Sequence, residues 1–402
     1  MSKRLILLAT LVSLASSALS PARAQNLPII TVGYMAPLSG SLSGIGEEVR
    51  NVALGALNDA RTEFKTLGFD LRFKSFDDKD QANAAKAQAQ LAVADPNILV
   101  LIGPLYSDSA LTVSDFLFAG KLAMLSPTAT ATTLTDRSLS NVSRLVARDD
   151  AQADAVVKFL TQTLGAKSVT LINDSTSSGR GLTVQIASGL RDAGIKVLGN
   201  IGTAPILSTT STERLQVLGK TDFSSVLSTI KDLKPNVVYY GGQYDTAAAL
   251  LSSMKKAGIS VPFVGSDNLN TSSFYGLAGE NARGIYISST IAPPAAYPRA
   301  RDFAASYQKS YGKEVSGVGL LAYDATQVAL SALKSSITGG KKPSRSSVQA
   351  ALRKTILKSS ETLTGDIAFN RDGDRMKSAV YILQVGSDLL PRVNRVIPVV
   401  LK

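Results

Sequence analysis

From residue 27 onward the chain alternates between two hydrophobic rhythms. IITVGYMAP (29–37) is a nearly unbroken apolar run that predicts a buried strand, and VRNVALGALNDARTEF (49–64) spaces its apolar residues three and four apart, as an amphipathic helix does. FDLRFKSF (69–76), DQANAAKAQAQLAVA (80–94), ILVLIG (98–103), SDSALTVSDFLFAG (107–120) and KLAML (121–125) continue as strand, helix, strand, helix, strand. Units of this length predict an α/β unit, a parallel sheet with helices on both faces. A second series of the same kind opens near Asp150 and runs through SVTLIND (168–174), KVLGNIG (196–202), NVVYYGG (236–242) and VPFVG (261–265), each separated by a helical stretch. Two α/β lobes of one architecture are therefore expected.

The rhythm then breaks. Three helical patterns follow one another at 299–312, 319–336 and 344–356, and the end is β-rich, with LTGDIAFNRDGDR (363–375), AVYILQV (379–385) and VIPVV (396–400). Asp372-Gly373 signals a hairpin turn, and NRDGDR lacks the ligand spacing of a calcium loop. APILSTTSTERLQVLGK (204–220) is polar and aperiodic, an exposed insertion, lid or partner contact. IAPPAAYP (291–298) reads as a rigid extended connector.

The first 25 residues carry Lys3 and Arg4, an apolar run and an Ala22-x-Ala24 cleavage pattern. This is a secretory signal peptide (1–24), too short to span a bilayer as a helix, and it sends the mature chain out of the cytoplasm. There disulfides are permitted, yet the chain has no cysteine, so its cores alone must hold it. Without Lys3, Arg4 and Arg23, 40 basic residues face 31 acidic ones, a charge of about +9 that is scattered along the sequence. Nucleic acid would call for clustered cations and stacking aromatics, so it is not an expected partner.

The chain also has no histidine. Ser-His-Asp triads, thiolate nucleophiles and His/Cys zinc sites are thereby excluded, and no cofactor motif is visible. Two S-x-x-K matches, Ser228 to Lys231 and Ser331 to Lys334, fall on ordinary amphipathic stretches, so an enzyme is not expected.

Binding chemistry is better represented. In IGPLYSDSALTVSDFL a strand ends at Ile102, Gly103-Pro104 turns, and a helix begins near Ser107, so its free N–H groups and the positive end of its dipole suit a carboxylate. The next strand ends in LSPTATATTLTD (125–136), where Pro127 keeps Ser126 out of a helix and leaves Thr128 and Thr130 free to face a ligand. Adjacent strand ends of an α/β sheet are where ligands collect. Caps and turns account equally for single hydroxyls, and Thr132, Thr133 and Thr135 are assigned to them.

Five landmarks in order, ITVGYMAPLSGSLSGIG, LIGPLYSDSA, LSPTATATTLTD, VVYYGG and TGDIAFNRDGDR, span almost the whole mature chain. With them the sequence resembles the extracytoplasmic solute-binding proteins of ABC importers, of the leucine/isoleucine/valine-binding type. The resemblance implies the type I periplasmic binding protein fold, two Rossmann-like lobes joined by three crossovers, 26–147 plus 290–372 and 148–289 plus 373–402. It implies a monomer that captures an amino acid and passes it to a membrane permease. Ser107 and Thr130 match positions whose hydroxyl and N–H groups hold the ligand carboxylate. Thr128 matches the carbonyl that takes the ammonium, with Ala129 in the same segment, and Asp267 stands where an acid, usually glutamate, pairs with that ammonium. The pocket positions, often aromatic in the family, are here Ile45, Ser178, Gln243 and Val318, so that either the pocket is wider or Tyr106, Tyr244 and Tyr275 fill it. Packing of Ile45 and Val318, and helix capping by Ser178 and Asp267, are the structural alternatives. A different ligand (an amide, a urea-like compound or an aromatic acid) and a regulatory protein on the same fold remain as rival readings.

Overall fold

Two parallel-strand sheets account for most of the strands. The computed structural model describes residues 27–40, 42–203 and 222–401, so the signal sequence and the Ala204 to Lys220 insertion lie outside the described residues. The first sheet contains β1 (Ile29–Ala36), β2 (Asp70–Asp77), β3 (Ile98–Ile102), β4 (Ala123–Ser126) and β5 (Val142–Arg144), all parallel, in the order β2-β1-β3-β4-β5. β1 lies inside this sheet and is buried on both faces, which is why it reads as a continuous apolar run. Ile30, Val32 and Tyr34 pack on one side and Met35 on the other, following the two-residue alternation of a strand.

Helix Ala82–Ala94 lies on the Met35 side with Ala85, Ala89 and Ala92 buried at helical spacing. Helix Ser107–Ala119 shares that face. The other face is covered by helix Ser43–Thr66 and by the long helix Gly317–Ser336, whose Leu320, Leu321, Val328 and Leu333 join Ile30 and Val32 in one core. The helices that broke the sequence rhythm thus return to the first sheet.

The second sheet is seven-stranded and contains β6 (Ser168–Asn173), β7 (Lys196–Gly202), β8 (Val237–Gly241), β9 (Phe263–Gly265) and β10 (Tyr286–Ser289). A short ladder of β11 (Ile356–Leu357) and β12 (Ile367–Ala368) precedes β13 (Lys377–Val385) and β14 (Pro391–Val400), which complete the sheet in the order β14-β13-β10-β9-β8-β6-β7. β13 runs antiparallel to both neighbours, so the chain's end is stitched onto the second sheet. By sheet membership the chain passes between the sheets three times, after β5, after β10 and before β13.

These passages are tied together. Arg144, fully buried, donates from Nε to Asp374 at 2.6 Å, and its backbone N–H reaches the Gly373 carbonyl at 2.9 Å. Gly373 has φ +100°, and a Cβ there would lie 2.1 Å from the Val142 carbonyl oxygen, so no other residue allows this approach. Asn370 Oδ1 collects the N–H groups of Asp372, Gly373 and Asp374, confirming NRDGDR as a turn. Two expectations need correction. The Pro-rich connector is not wholly extended, because Pro294–Ala296 winds into a 3-10 turn with proline as its first residue. Thr135 is not merely a turn residue: its buried hydroxyl sits in the Arg144–Asp374 network. Among the described residues no helix is long and apolar enough to cross a membrane.

Candidate ligand-binding cleft

The proposed contacts stand where strands of both sheets end. β1, β3 and β4 deliver the segments that lead to Ile45, Ser107 and Thr128–Thr130, while β6, β8 and β9 deliver Ser178, Gln243 and Asp267. The carboxyl ends of parallel strands leave such a crevice by construction.

Ser107 opens its helix without capping it, because no side-chain cap bond forms there. Its Oγ instead accepts the Ala131 N–H at 3.2 Å, so its own O–H remains available to a ligand. The segment after β4 is pinned by alternate groups. The Ala129 N–H goes to Ser126 Oγ at 3.1 Å, and the Ala129 and Ala131 carbonyls accept from Arg144 Nη1 at 3.3 and 2.7 Å. Among the described residues the Thr130 N–H and the Thr128 carbonyl meet no partner, which leaves one donor and one acceptor side by side. Thr128 Oγ1 is turned away, donating to the Leu105 carbonyl at 2.7 Å.

Thr130 is buried, and its carbonyl accepts the Asp149 N–H at 3.0 Å, which sets Asp149 beside this segment. The free Thr130 amide is the backbone donor open to a ligand carboxylate. Asp149 was not singled out in the sequence; RDDAQ reads there as ordinary acidic residues at a helix start. It is the first residue of helix Asp149–Lys158, and burial raises its pKa.

Asp267 completes the acidic side. It is surrounded by protein, and burial, reinforced by the neighbouring Asp149 carboxylate, pushes its pKa up to about 7. Gln152 Nε2 lies 3.5 Å from Asp267 Oδ1 and is held by the Ser288 carbonyl and hydroxyl at 3.1 Å each. Asp267 is not the cap of the next helix: Thr271 is, accepting the Phe274 N–H at 3.1 Å. Ser178 is likewise not a cap, since Thr176 accepts the Gly179 N–H at 3.0 Å.

The remaining positions line up by their supports. Ile45 and Val318 occupy the first turns of their helices, which Glu48 joins by accepting the Ser316 N–H at 2.8 Å and hydroxyl at 2.7 Å. Val318 also packs on the first core, whereas Ile45 is only half-buried. Gln243 donates its backbone N–H to Asp174 Oδ2 at 2.7 Å, and Asp174 Oδ1 holds Thr176, so one buried acid shapes two cleft loops. Gly242 permits this: at φ +153°, a Cβ would lie 2.5 Å from the Asp174 carboxyl carbon. The sequence offered no sign of Asp174 beyond its place directly after a strand.

Of the three neighbouring tyrosines, Tyr106 packs on the first core; burial raises its hydroxyl pKa, and Asp80, Tyr244, Asp78 and Asp267 add to the rise. Tyr275 turns instead into the second core and donates to Asn270 Oδ1 at 3.3 Å. Tyr239 and Tyr240 are fully buried packing residues.

The Ser-x-x-Lys pairs do not form dyads, for Ser228 bonds Asp232 at 3.3 Å and Lys334 pairs with Glu63 at 3.1 Å. Among the described residues no cluster of acids could hold a metal. The cleft presents donors (the Thr130 amide, Ser107 and its helix terminus) next to acceptors (Thr128 O, Asp149, Asp267). It can bind and orient a small molecule.

The family model described as periplasmic binding protein matches residues 29–389. A Leu/Ile/Val-binding protein of Rhizobium johnstonii, BraC3, is 30% identical over 65% of this chain and 67% of its own length. A leucine-, isoleucine-, valine-, threonine- and alanine-binding protein of Pseudomonas aeruginosa is 26% identical over 86% and 87%. Among solved structures, leucine-binding LivK of Thermotoga maritima has a TM-score of 0.79 at 24% identity, covering 92% of this chain and 99% of its own. A Rhodopseudomonas palustris solute-binding protein in complex with benzoate reaches 0.74 at 18%, covering 93% and 98%. At these identities the structures speak for the fold alone. The type I fold and a match over most of the chain's length together assign this non-enzymatic chain to the periplasmic binding protein family.

Proposed function

We propose that the chain captures an α-amino acid, branched-chain or similar, between its two sheets in the periplasm and delivers it to the permease of an ABC importer. The supporting observation is the unpaired Thr130 N–H beside the unpaired Thr128 carbonyl, with a helix N-terminus behind the first, buried Asp149 bonded to the same segment, and half-buried Asp267 close enough to Asp149 to feel its charge. That arrangement complements a zwitterion, and only a ligand carrying both charges satisfies both halves. The side-chain end falls to Ile45, Val318, Gln243, Ser178 and the Tyr106–Tyr244 pair, a mixed lining that admits a branched aliphatic group. Closure is a hinge motion of 26–147 plus 290–372 against 148–289 plus 373–402.

An aromatic acid is the rival reading, motivated by the non-aromatic pocket positions and by the benzoate-bound neighbour. It brings no cation, so the Thr128 carbonyl and Asp267 would gain no ammonium partner. Calorimetry with leucine, leucinamide (no carboxylate) and 4-methylpentanoate (no ammonium) separates the readings. Leucine is expected to bind at least about 100-fold more tightly than either analogue, the cost of stranding a buried polar partner. Equal binding of 4-methylpentanoate or benzoate overturns the amino-acid assignment.

A further inference from the structure

Helix Ser107–Ala119 begins at the cleft and ends about 18 Å away, by the rise of its turns, at a second concavity. This groove, about 680 Å³, lies between that helix end and helix Arg345–Lys354. Four cations line it, Lys121, Arg353, Lys354 and Arg371, and among the described residues no acid does. The rest of its wall is mostly carbon, and Phe118 stands on it 45% exposed.

The cations here are poorly compensated. Lys121 and Lys354 are exposed and form no ion pair with a described residue, and Arg371, 92% exposed, has its nearest carboxylate, Asp372, at 3.6 Å. Arg353 is half-buried; one side of its guanidinium donates to the Arg371 carbonyl and the other to the Val142 carbonyl at 2.6 Å, while its Nε is buried without an acceptor. Some exposed cations elsewhere are paired, as in Arg72–Asp70 at 2.7 Å and Arg392–Asp388 at 2.6 Å; what sets this group apart is that four cations share one concavity with no acid among the described residues of its lining. Lys121 also holds φ +53°, a conformation that would suit glycine better, so a cation stands where the backbone does not favour it. Four cations from separate stretches of the sequence are brought together here by folding.

We propose that this groove is a docking site for anionic phospholipid headgroups and holds the protein at the membrane surface. The cations meet the phosphate, and the exposed ring beside them takes the apolar boundary below it, the combination that interfacial anchors use. An acidic polypeptide would use the charges but not the carbon wall and the ring. No residue of the amino-acid cleft takes part, so ligand binding serves as an independent check of folding.

The test is co-sedimentation of the mature protein with phosphatidylcholine vesicles, with and without phosphatidylglycerol, at low and high salt. Binding is expected only to the phosphatidylglycerol vesicles and only at low salt. The triple variant Lys121→Gln/Lys354→Gln/Arg371→Gln should lower partitioning about tenfold or more. A charge-matched control at exposed lysines of the second sheet's helices, Lys231→Gln/Lys255→Gln/Lys256→Gln, should lower it less than about threefold. Phe118→Ala, which changes no charge, should lower it measurably. Equal losses in the two triples would mean general electrostatics and overturn the proposal, as would no binding to phosphatidylglycerol. Release by inorganic phosphate at constant ionic strength would assign the groove to a free anion. Patch-dependent binding of poly-glutamate without vesicle binding would assign it to an acidic protein. Either result also overturns it.

Discussion

Asp267 carries the sharpest residue-scale consequence. Its carboxyl, ordinarily near 3.8, is pushed up to about 7 by burial and by Asp149, with Tyr106 and Tyr239 facing it. A folded-state pKa raised in this way means that the free protein prefers the protonated acid. The stability this group confers is full below about pH 4 and is lost as pH rises through about 7. A ligand ammonium needs the carboxylate, so binding releases a proton below about pH 7. Affinity should therefore fall about tenfold between about pH 8 and about pH 6, and calorimetry across that range checks the slope. Asp267→Asn should weaken leucine binding about 100-fold and remove most of that slope. Unchanged affinity would sink the assignment of the ammonium partner. Thr130→Ala should weaken binding by only about tenfold, because the amide stays in place and only the hydroxyl is lost.

At the scale of elements, the cleft depends on joints between segment ends. Arg144 ties β5 to the turn before β13 and also holds the Ala129 and Ala131 carbonyls, so one buried guanidinium both joins two passages and aims the ligand segment. Arg144→Met leaves Asp374 buried with only the Thr135 hydroxyl at 3.0 Å and a long Arg148 contact at 3.4 Å among the described residues, and should cost about 3–5 kcal/mol in urea unfolding. It should also weaken leucine binding in variants that still fold; full affinity in a folded Arg144→Met protein would refute its role in aiming the segment. Ser316 caps helix Gly317–Ser336 through the Val318 and Gly319 N–H groups while donating to Glu48. Ser316→Ala should cost about 1 kcal/mol or slightly more, read from the same unfolding curves.

For the whole molecule, a ligand touching segments of both sheets should draw them together; small-angle scattering should record a smaller radius of gyration with leucine. The fold class was legible from the chain alone, because strands buried on both faces must be continuously apolar and covering helices must be periodic, and β1 and helix Ser43–Thr66 obey those rules locally. The absence of histidine and cysteine likewise excluded Ser-His-Asp triads, thiolate nucleophiles and His/Cys zinc sites without any coordinates. The zwitterion segment was visible through Pro127 and its threonines, but not which of its groups stay free. That was decided by distant residues, Arg144 taking the Ala129 and Ala131 carbonyls and the Asp149 N–H the Thr130 carbonyl, contacts that no local pattern encodes. Asp174, Gln152 and the cationic groove were hidden for the same reason. Local periodicity specifies elements because backbone geometry repeats over a few residues, whereas a site is made by side chains that meet only once the sheets have assembled.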